Sequence, residues 1–232
     1  MSIEAYDRTA FYNELYIMID DTLHAGNEGG TGENTEGSSE DATGNSLEEG
    51  NAVESLSQET LDYYMSIEPS CSFLTEAGRE YRMIAVDRAL GSSFFGLIGT
   101  DDGESCSFVN LDPYNGSGGE AKCLSFVDED LGFSCLSHSG GTYGSLYRTT
   151  DGGQSWDRIE YPSAKAKLPD GTYYNPFVMP ESVYAKEGLL FLEVGQGADG
   201  DYYEEQGYCH GLYRSSDRGL NWEFVEKVYI NR

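Results

Sequence analysis

The side chains best suited to chemistry in this 232-residue sequence are acids. Asp199-Gly200-Asp201, followed by Glu204 and Glu205, concentrates hard oxygen donors, and Asp128-Glu129-Asp130 does the same. Such groups suit calcium, with Asp199 and Asp201 as the candidate ligands. Their spacing is not that of a helix–loop–helix calcium loop, and a solvated acidic hairpin turn accounts for the same residues. His24, His138 and His210 are dispersed; the last two precede corresponding strands of an internal repeat, which explains them without a metal. Cys71, Cys106, Cys123, Cys135 and Cys209 show no C-x-x-C spacing, so no zinc site is expected. Small buried hydrophobes account for these thiols; an oxidising compartment would allow one or two disulfides, with an odd cysteine left over. Neither a metal site nor a required cofactor is assigned. The most unusual stretch is Tyr173-Tyr174-Asn175-Pro176-Phe177-Val178-Met179-Pro180-Glu181. Its aromatics beside an amide and a carboxylate suit carbohydrate or peptide recognition, so Tyr173, Tyr174, Asn175, Phe177 and Glu181 form a candidate ligand face. Packing of a long connection is the alternative. No G-x-S-x-G, H-E-x-x-H or P-loop pattern is present, and no catalytic residue is assigned.

An internal duplication must position these groups. Leu146-Tyr147-Arg148-Thr149-Thr150-Asp151-Gly152-Gly153-Gln154-Ser155-Trp156 matches Leu212-Tyr213-Arg214-Ser215-Ser216-Asp217-Arg218-Gly219-Leu220-Asn221-Trp222, 66 residues later. With Ser and Thr taken as equivalent, the segments agree at eight of eleven positions, and they contain both tryptophans of the chain. Leu-Tyr-Arg reads as a strand end. The Asp carboxylate can accept from turn N–H groups, the Gly two residues on tolerates positive φ, and the Trp opens the next strand with its ring over the turn. Strands precede each copy: Cys123–Val127, Leu131–Leu136 and Tyr143–Arg148 before the first; Ser182–Tyr184, Leu189–Val194 and Gly207–Arg214 before the second. Asp157–Tyr161 and Trp222–Val228 complete two four-stranded units. Tyr81–Val86, Ser93–Ile98 and Ser105–Leu111 form a degenerate third unit upstream, where no such turn motif is visible, and residues 60–70 suit a short helix.

Charge divides the chain. Of 41 acids and 14 bases, residues 1–60 hold 14 acids and one base, leaving 27 acids and 13 bases in residues 61–232. The stretch His24–Glu59 has nine acids, no Lys or Arg and no aromatic, so it cannot bury enough apolar surface to order itself and reads as a disordered acidic linker. Residues 1–23 carry Tyr12, Leu15, Tyr16, Ile19 and Leu23 at roughly helical spacing, an amphipathic segment with a lone strand as the alternative. The expected organisation is therefore a segment over 1–23, a linker over 24–59 and an all-β domain over 60–232. A formal charge of −27 disfavours nucleic acid and anionic membrane as partners. With no basic n-region ahead of an apolar core and no run of 18 apolar residues, the sequence reads as soluble.

The duplicated motif resembles the Asp-box, or BNR, repeat, S/T-x-D-x-G-x-[TS]-W, of sialidase-like β-propellers and their non-enzymatic relatives, among them photosystem-assembly factors and sortilin-type receptors. Thr149, Asp151, Gly153 and Trp156 match one box; Ser215, Asp217, Gly219 and Trp222 match a second, in which Asn221 replaces the usual Ser or Thr. The resemblance implies all-β, propeller-like blades of four antiparallel strands, with each box between the third and fourth strands and facing away from the ligand face. It also implies an extracytoplasmic setting. Sialidase catalysis would need three converging arginines, a Tyr nucleophile assisted by Glu, and an acid Asp. Eight arginines follow residue 60, but Arg148 and Arg214 occupy equivalent repeat positions, and Arg79, Arg82 and Arg88 lie in one segment. The expected function is thus a non-catalytic module binding a protein or glycan partner, with a degenerate or split glycoside hydrolase as the alternative. At about 40–50 residues per blade the domain holds three or four, against the four to eight of a closed ring. A small four-blade ring, an open stack of blades and a ring completed by a second copy are the alternatives, and a compact domain of two to three blade-like sheets is the expectation.

Overall fold

The computed structural model describes residues 58–230, apart from residues 90, 102, 104, 105 and 169 and the side chain of residue 139. The expected 1–23 segment and nearly all of the 24–59 linker lie outside the described residues. The first element among the described residues is α1 (Gln58–Ser66).

Strands follow in blade-sized groups. The first sheet is β1 (Cys71–Leu74), β2 (Glu80–Ala89), β3 (Ser92–Thr100) and β4 (Ser107–Asn110), in that order and antiparallel throughout. The second is β5 (Glu120–Phe126), β6 (Gly132–His138), β7 (Tyr143–Thr149) and β8 (Asp157–Ile159). A two-stranded hairpin, β9 (Ala166–Lys167) with β10 (Tyr173–Tyr174), interrupts the connection to the third sheet. That sheet pairs β11 (Met179–Lys186), β12 (Leu189–Gly195), β14 (Gly207–Ser215) and β15 (Glu223–Tyr229), with a short β13 (Tyr203–Glu204) folded onto the start of β14. The unit expected to be degenerate is a full four-stranded blade. Its first strand, Cys71–Leu74, is only four residues long, too short for alternation to announce it.

Two cores lie between the three blades. Residue alternation along a strand sends successive side chains to opposite faces. On β7, Tyr147 faces the first blade, among Met83, Leu97, Tyr114 and Phe126. Its neighbour Leu146 faces the third, among Phe177, Leu192, Tyr213 and Trp222. The middle strand β6 is therefore buried along both faces, from Gly132 to Ser137. The first strands gather on one side: β1 packs beside β5, and β11 lies against β5, β6 and β7. Residues of all three blades border a cleft of about 1280 Å³ that includes Leu74, Asp128 and Tyr184.

The first blade's other face is covered by α1. Ile84 and Ile98 point away from the second blade and are fully buried. Phe108, in register with Ile98, meets the buried Tyr64 ring edge-on at 5.1 Å. Arg82 fastens the helix by donating from Nη1 to Met65 O and from Nη2 to Ile67 O, each at 2.9 Å. These are carbonyls at and beyond the last turn, which have no acceptor role inside the helix and favour a cation.

The duplicated motifs form the turns between the third and fourth strands of blades two and three, with one hydrogen-bond plan. Thr149 Oγ1 donates to Asp151 Oδ1 at 2.7 Å and accepts from Gly153 N at 2.9 Å; Ser155 N donates to Asp151 Oδ1 at 2.9 Å. Ser215, Asp217, Gly219 and Asn221 repeat these three contacts at 2.7, 2.9 and 2.9 Å. Each turn also packs on the blade before it. A Cβ on Gly153 would stand 2.6 Å from Leu97 of the first blade, and one on Gly219 would stand 2.5 Å from Phe133 of the second. Glycine is thus required there for approach as well as for its positive φ.

The first blade holds a shortened version of the same turn, which the sequence pattern missed. Thr100, buried at the end of β3, accepts from Gly103 N at 2.9 Å. Only three residues separate hydroxyl and glycine instead of four, so the motif falls out of register. Where the other turns place Trp, this one ends at Cys106, whose Sγ contacts Leu61 O of α1 at 3.6 Å.

Candidate functional site

Antiparallel connectivity puts the motif turns at one end of every blade. The β6–β7 and β12–β14 loops and the inter-blade connections lie at the other. This second end carries the candidate ligand face, and backbone bonds hold its loops together. Ala198 N donates to Gly141 O at 2.7 Å, Gly144 N to Val178 O at 2.8 Å, and Val178 N to Gly195 O at 3.0 Å.

A buried amide organises the long β12–β14 loop. Gln196 donates from Nε2 to Tyr202 O and Cys209 O, both at 2.9 Å, and accepts from Tyr202 N at 2.8 Å. All three amide hydrogen-bond directions used are thereby satisfied inside the fold, as a buried polar group requires. The pinned Tyr202 ring stands edge-on to Tyr174 of β10 at 5.9 Å, and Lys227 Nζ sits 5.0 Å from its centroid. Lys227 also donates to Tyr202 OH at 2.8 Å and to Glu204 Oε1. Glu204 accepts from both Tyr202 OH, at 2.5 Å, and Tyr229 OH.

These contacts set the charge states. Bonds from Lys227, Tyr202 and Tyr229 draw the Glu204 carboxyl down to about 2. Burial alone would lower Lys227, but its bonds to Glu204 and Tyr202 outweigh that and raise it. The bond to Glu204 pushes Tyr229 up to about 12. At neutral pH the cluster is therefore a fixed carboxylate–ammonium pair flanked by protonated phenols. Its groups satisfy one another, so it offers a preorganised polar and aromatic surface but no free base and no phenolate nucleophile. In the sequence, Glu204 stands with Asp199 and Asp201 as an acidic group. The signal missed was Lys227, 23 residues away on β15.

The expected ligand-face residues separate. Tyr173 is 62% exposed at the tip of the β9–β10 hairpin, and Tyr174 is half-buried against Tyr202. Tyr203, 58% exposed on β13, adds a ring that the sequence reading did not single out. Phe177 corrects the expectation: it is fully buried, stacked at 6.2 Å on Phe224 and lying over Gly211, because the connection from β10 to β11 carries it into the core between blades two and three. Asn175 is occupied locally, accepting from Ala164 N at 3.2 Å and donating to Phe177 O at 3.0 Å. Glu181, on β11, lies 3.1 Å from His210 Nδ1; burial pushes its carboxyl up against the pull of that ring. His138 has separate partners, Ser145 Oγ at 3.1 Å and the Tyr143 ring. Asp199 and Asp201 are exposed, and among the described residues no three His, Cys, Asp or Glu side chains converge closely enough to hold an ion.

Among the described residues, several arginines are held by partners of their own. Arg79 faces Asp101 at 3.6 Å, Arg82 holds α1, Arg158 faces Glu160 at 3.4 Å, and Arg214 binds Glu223 at 2.6 Å. Arg218 binds Asp128 at 2.9 Å, and Arg148 Nε donates to Arg218 O at 2.8 Å.

Solved structures similar in fold include a protein of unknown function from Dyadobacter fermentans, 15% identical with a TM-score of 0.47 over 69% of this chain and 54% of that one. A Penicillium chrysogenum α-L-arabinanase complexed with arabinobiose is 15% identical, TM-score 0.45, over 69% and 49%. A Fusarium graminearum α-L-arabinofuranosidase in complex with an iminosugar inhibitor is 14% identical, TM-score 0.43, over 68% and 46%. This chain spans about half the length of each. The fold is all-β and blade-like. The sequence matches no protein-family model and no curated protein.

Proposed function

We propose that this chain is a non-catalytic Asp-box module that binds a carbohydrate at the loop end of its third blade. The observation that carries the reading is the exposure of Tyr173 and Tyr203, each next in the chain to a tyrosine of the packed Tyr174–Tyr202 pair, with the Tyr202–Glu204–Lys227–Tyr229 hydrogen bonds holding that loop in place. Flat rings beside fixed polar groups suit sugar faces and hydroxyls. The hydrogen-bond plan that the two motif turns share supports the Asp-box assignment, and their packing on preceding blades gives them a structural part. The scattered, engaged arginines speak against a sialidase-type carboxylate clamp. An extracytoplasmic setting belongs to this proposal, on the strength of the family resemblance.

A glycan array followed by calorimetry on the ligands retained tests it. Tyr173→Ala and Tyr203→Ala should each weaken binding about tenfold, a change of about 1.4 kcal/mol. Glycan affinity indifferent to both changes would move the site elsewhere. Fluorogenic glycosides should show no turnover at high protein concentration; turnover lost on replacing Arg79, Arg82 and Arg88 would establish the hydrolase alternative instead.

A further inference from the structure

Cys123 on β5 and Cys135 on β6 are direct partners in the antiparallel register of the second blade. Their sulfurs stand 2.8 Å apart, within about 0.8 Å of the length of a disulfide bond. The strands carrying them are already held on both sides of the pair, at Ala121↔Leu136 and Leu124↔Ser134, so bond formation asks little of the backbone. Ser134 Oγ donates to Cys123 O at 2.7 Å and meets the buried Tyr114 hydroxyl at 2.6 Å, which fixes the surrounding frame. Cys106 contacts Leu61 O of α1 and Cys209 lies in the core between blades two and three, whereas Cys71, on β1, is near enough for its thiol and that of Cys123 to influence each other; the direct sulfur contact is the one between Cys123 and Cys135.

We infer that Cys123 and Cys135 are a covalent modification site, a dithiol that closes to a cross-strand disulfide on contact with a small-molecule disulfide such as oxidised glutathione. The two thiols differ in access. Cys135 is almost completely buried and Cys123 only partly so. Burial, reinforced by Cys123, keeps the Cys135 thiol protonated. Attack therefore starts at Cys123. Its thiolate displaces one half of the small disulfide, breaking that S–S bond and leaving a mixed disulfide on Cys123; the departing thiolate takes up the proton that Cys123 released. Cys135 then attacks Cys123 Sγ, expels the second small thiol and passes it a proton. Two protein thiols are oxidised and one small disulfide is reduced to two thiols. The product ties the first strand of the central blade to its neighbour without altering the fold, a staple suited to an oxidising compartment.

The full chain, treated natively with oxidised or with reduced glutathione, would be denatured, alkylated and weighed. The oxidised sample should carry alkyl groups on Cys71, Cys106 and Cys209 only. Chymotrypsin cuts after Phe126 and Phe133, between the pair, and should release a Cys123–Cys135 linked peptide. Cys71→Ser should leave that linkage intact, whereas Cys123→Ser should abolish it. Alkylation of all five cysteines after oxidation, or a linkage of Cys123 to Cys71 in its place, would overturn the inference. Neither readout depends on carbohydrate binding.

Discussion

The turns at 149–156 and 215–222 share a skeleton and differ in detail. The position after the Asp is Gly152 in the first and Arg218 in the second, both at positive φ, +72° and +61°. Trp156 Nε1 donates to Gly153 O at 3.0 Å, whereas Trp222 Nε1 finds no acceptor among the described residues. Ser155 closes the first turn on the Asp carboxylate, and Asn221 closes the second at 2.7 Å. What is shared is what makes the turn: hydroxyl, carboxylate and glycine. What differs is how each turn closes on itself and, at Arg218, how it reaches the neighbouring blade. Arg218 accepts an unfavourable backbone region for a non-glycine residue while its guanidinium reaches Asp128 on the second blade.

The largest expected contrast lies at the tryptophans. Trp156→Ala should cost about 3–5 kcal/mol, by cavity formation and loss of a buried bond. Trp222→Ala should cost about 1 kcal/mol less, because its indole N–H has no bond to lose. Chemical denaturation checks both, and equal losses would show that the unpaired N–H carries no penalty. The next contrast is at the left-handed position. Gly152→Arg should destabilise by about 1–2 kcal/mol, from backbone strain and a Cβ placed 3.1 Å from Glu129 O. Arg218→Gly should change stability by less than about 0.5 kcal/mol, since relief of strain offsets an exposed ion pair and the added freedom of the unfolded chain. A marked loss there would assign the Asp128 pair a larger role.

Acid should separate the turns further. Bonds from the Asn221 side chain and backbone and from Ser215 bring Asp217 down to about 2. A carboxyl depressed in the folded state lends stability that is present above its unfolded value, about 3.9, and is lost as pH falls toward the folded one. Asp217→Asn should therefore flatten the dependence of melting temperature on pH between about 4 and 2. An unchanged slope in that window would remove Asp217 from acid unfolding. Smallest of all, exchanging Ser155→Asn and Asn221→Ser should shift stability by less than about 0.5 kcal/mol each, as both side chains can donate to the same carboxylate oxygen; a larger shift would show that the two turns have diverged in shape.

Much of the architecture was legible because its signals are local. Leu146 and Tyr147 announce the end of a strand, and the position of each Trp marks where the next strand starts. The first blade was legible only in part. Thr100 and Gly103 preserve the bond of the motif, yet one missing residue and a Cys in place of Trp erase its pattern. Phe177 and Tyr203 show the same limit at the candidate site. Both are aromatic residues near a loop, and composition cannot say that one enters a core while the other stays in water. Glu204 fared similarly, since its partner Lys227 lies on a strand that only the completed sheet brings alongside.

The sequence by itself determined the two motif turns, because every atom of their shared bonds lies within four residues of its partner. It determined the strand-rich character too, through alternation and turn residues. The tertiary structure alone decided which blade each turn packs on, that α1 covers the outer face of the first blade, that Cys123 meets Cys135, and that Lys227 neutralises Glu204. Those contacts depend on sheet register and on blade-against-blade packing, which join residues far apart in the chain and leave no periodic trace in any short segment.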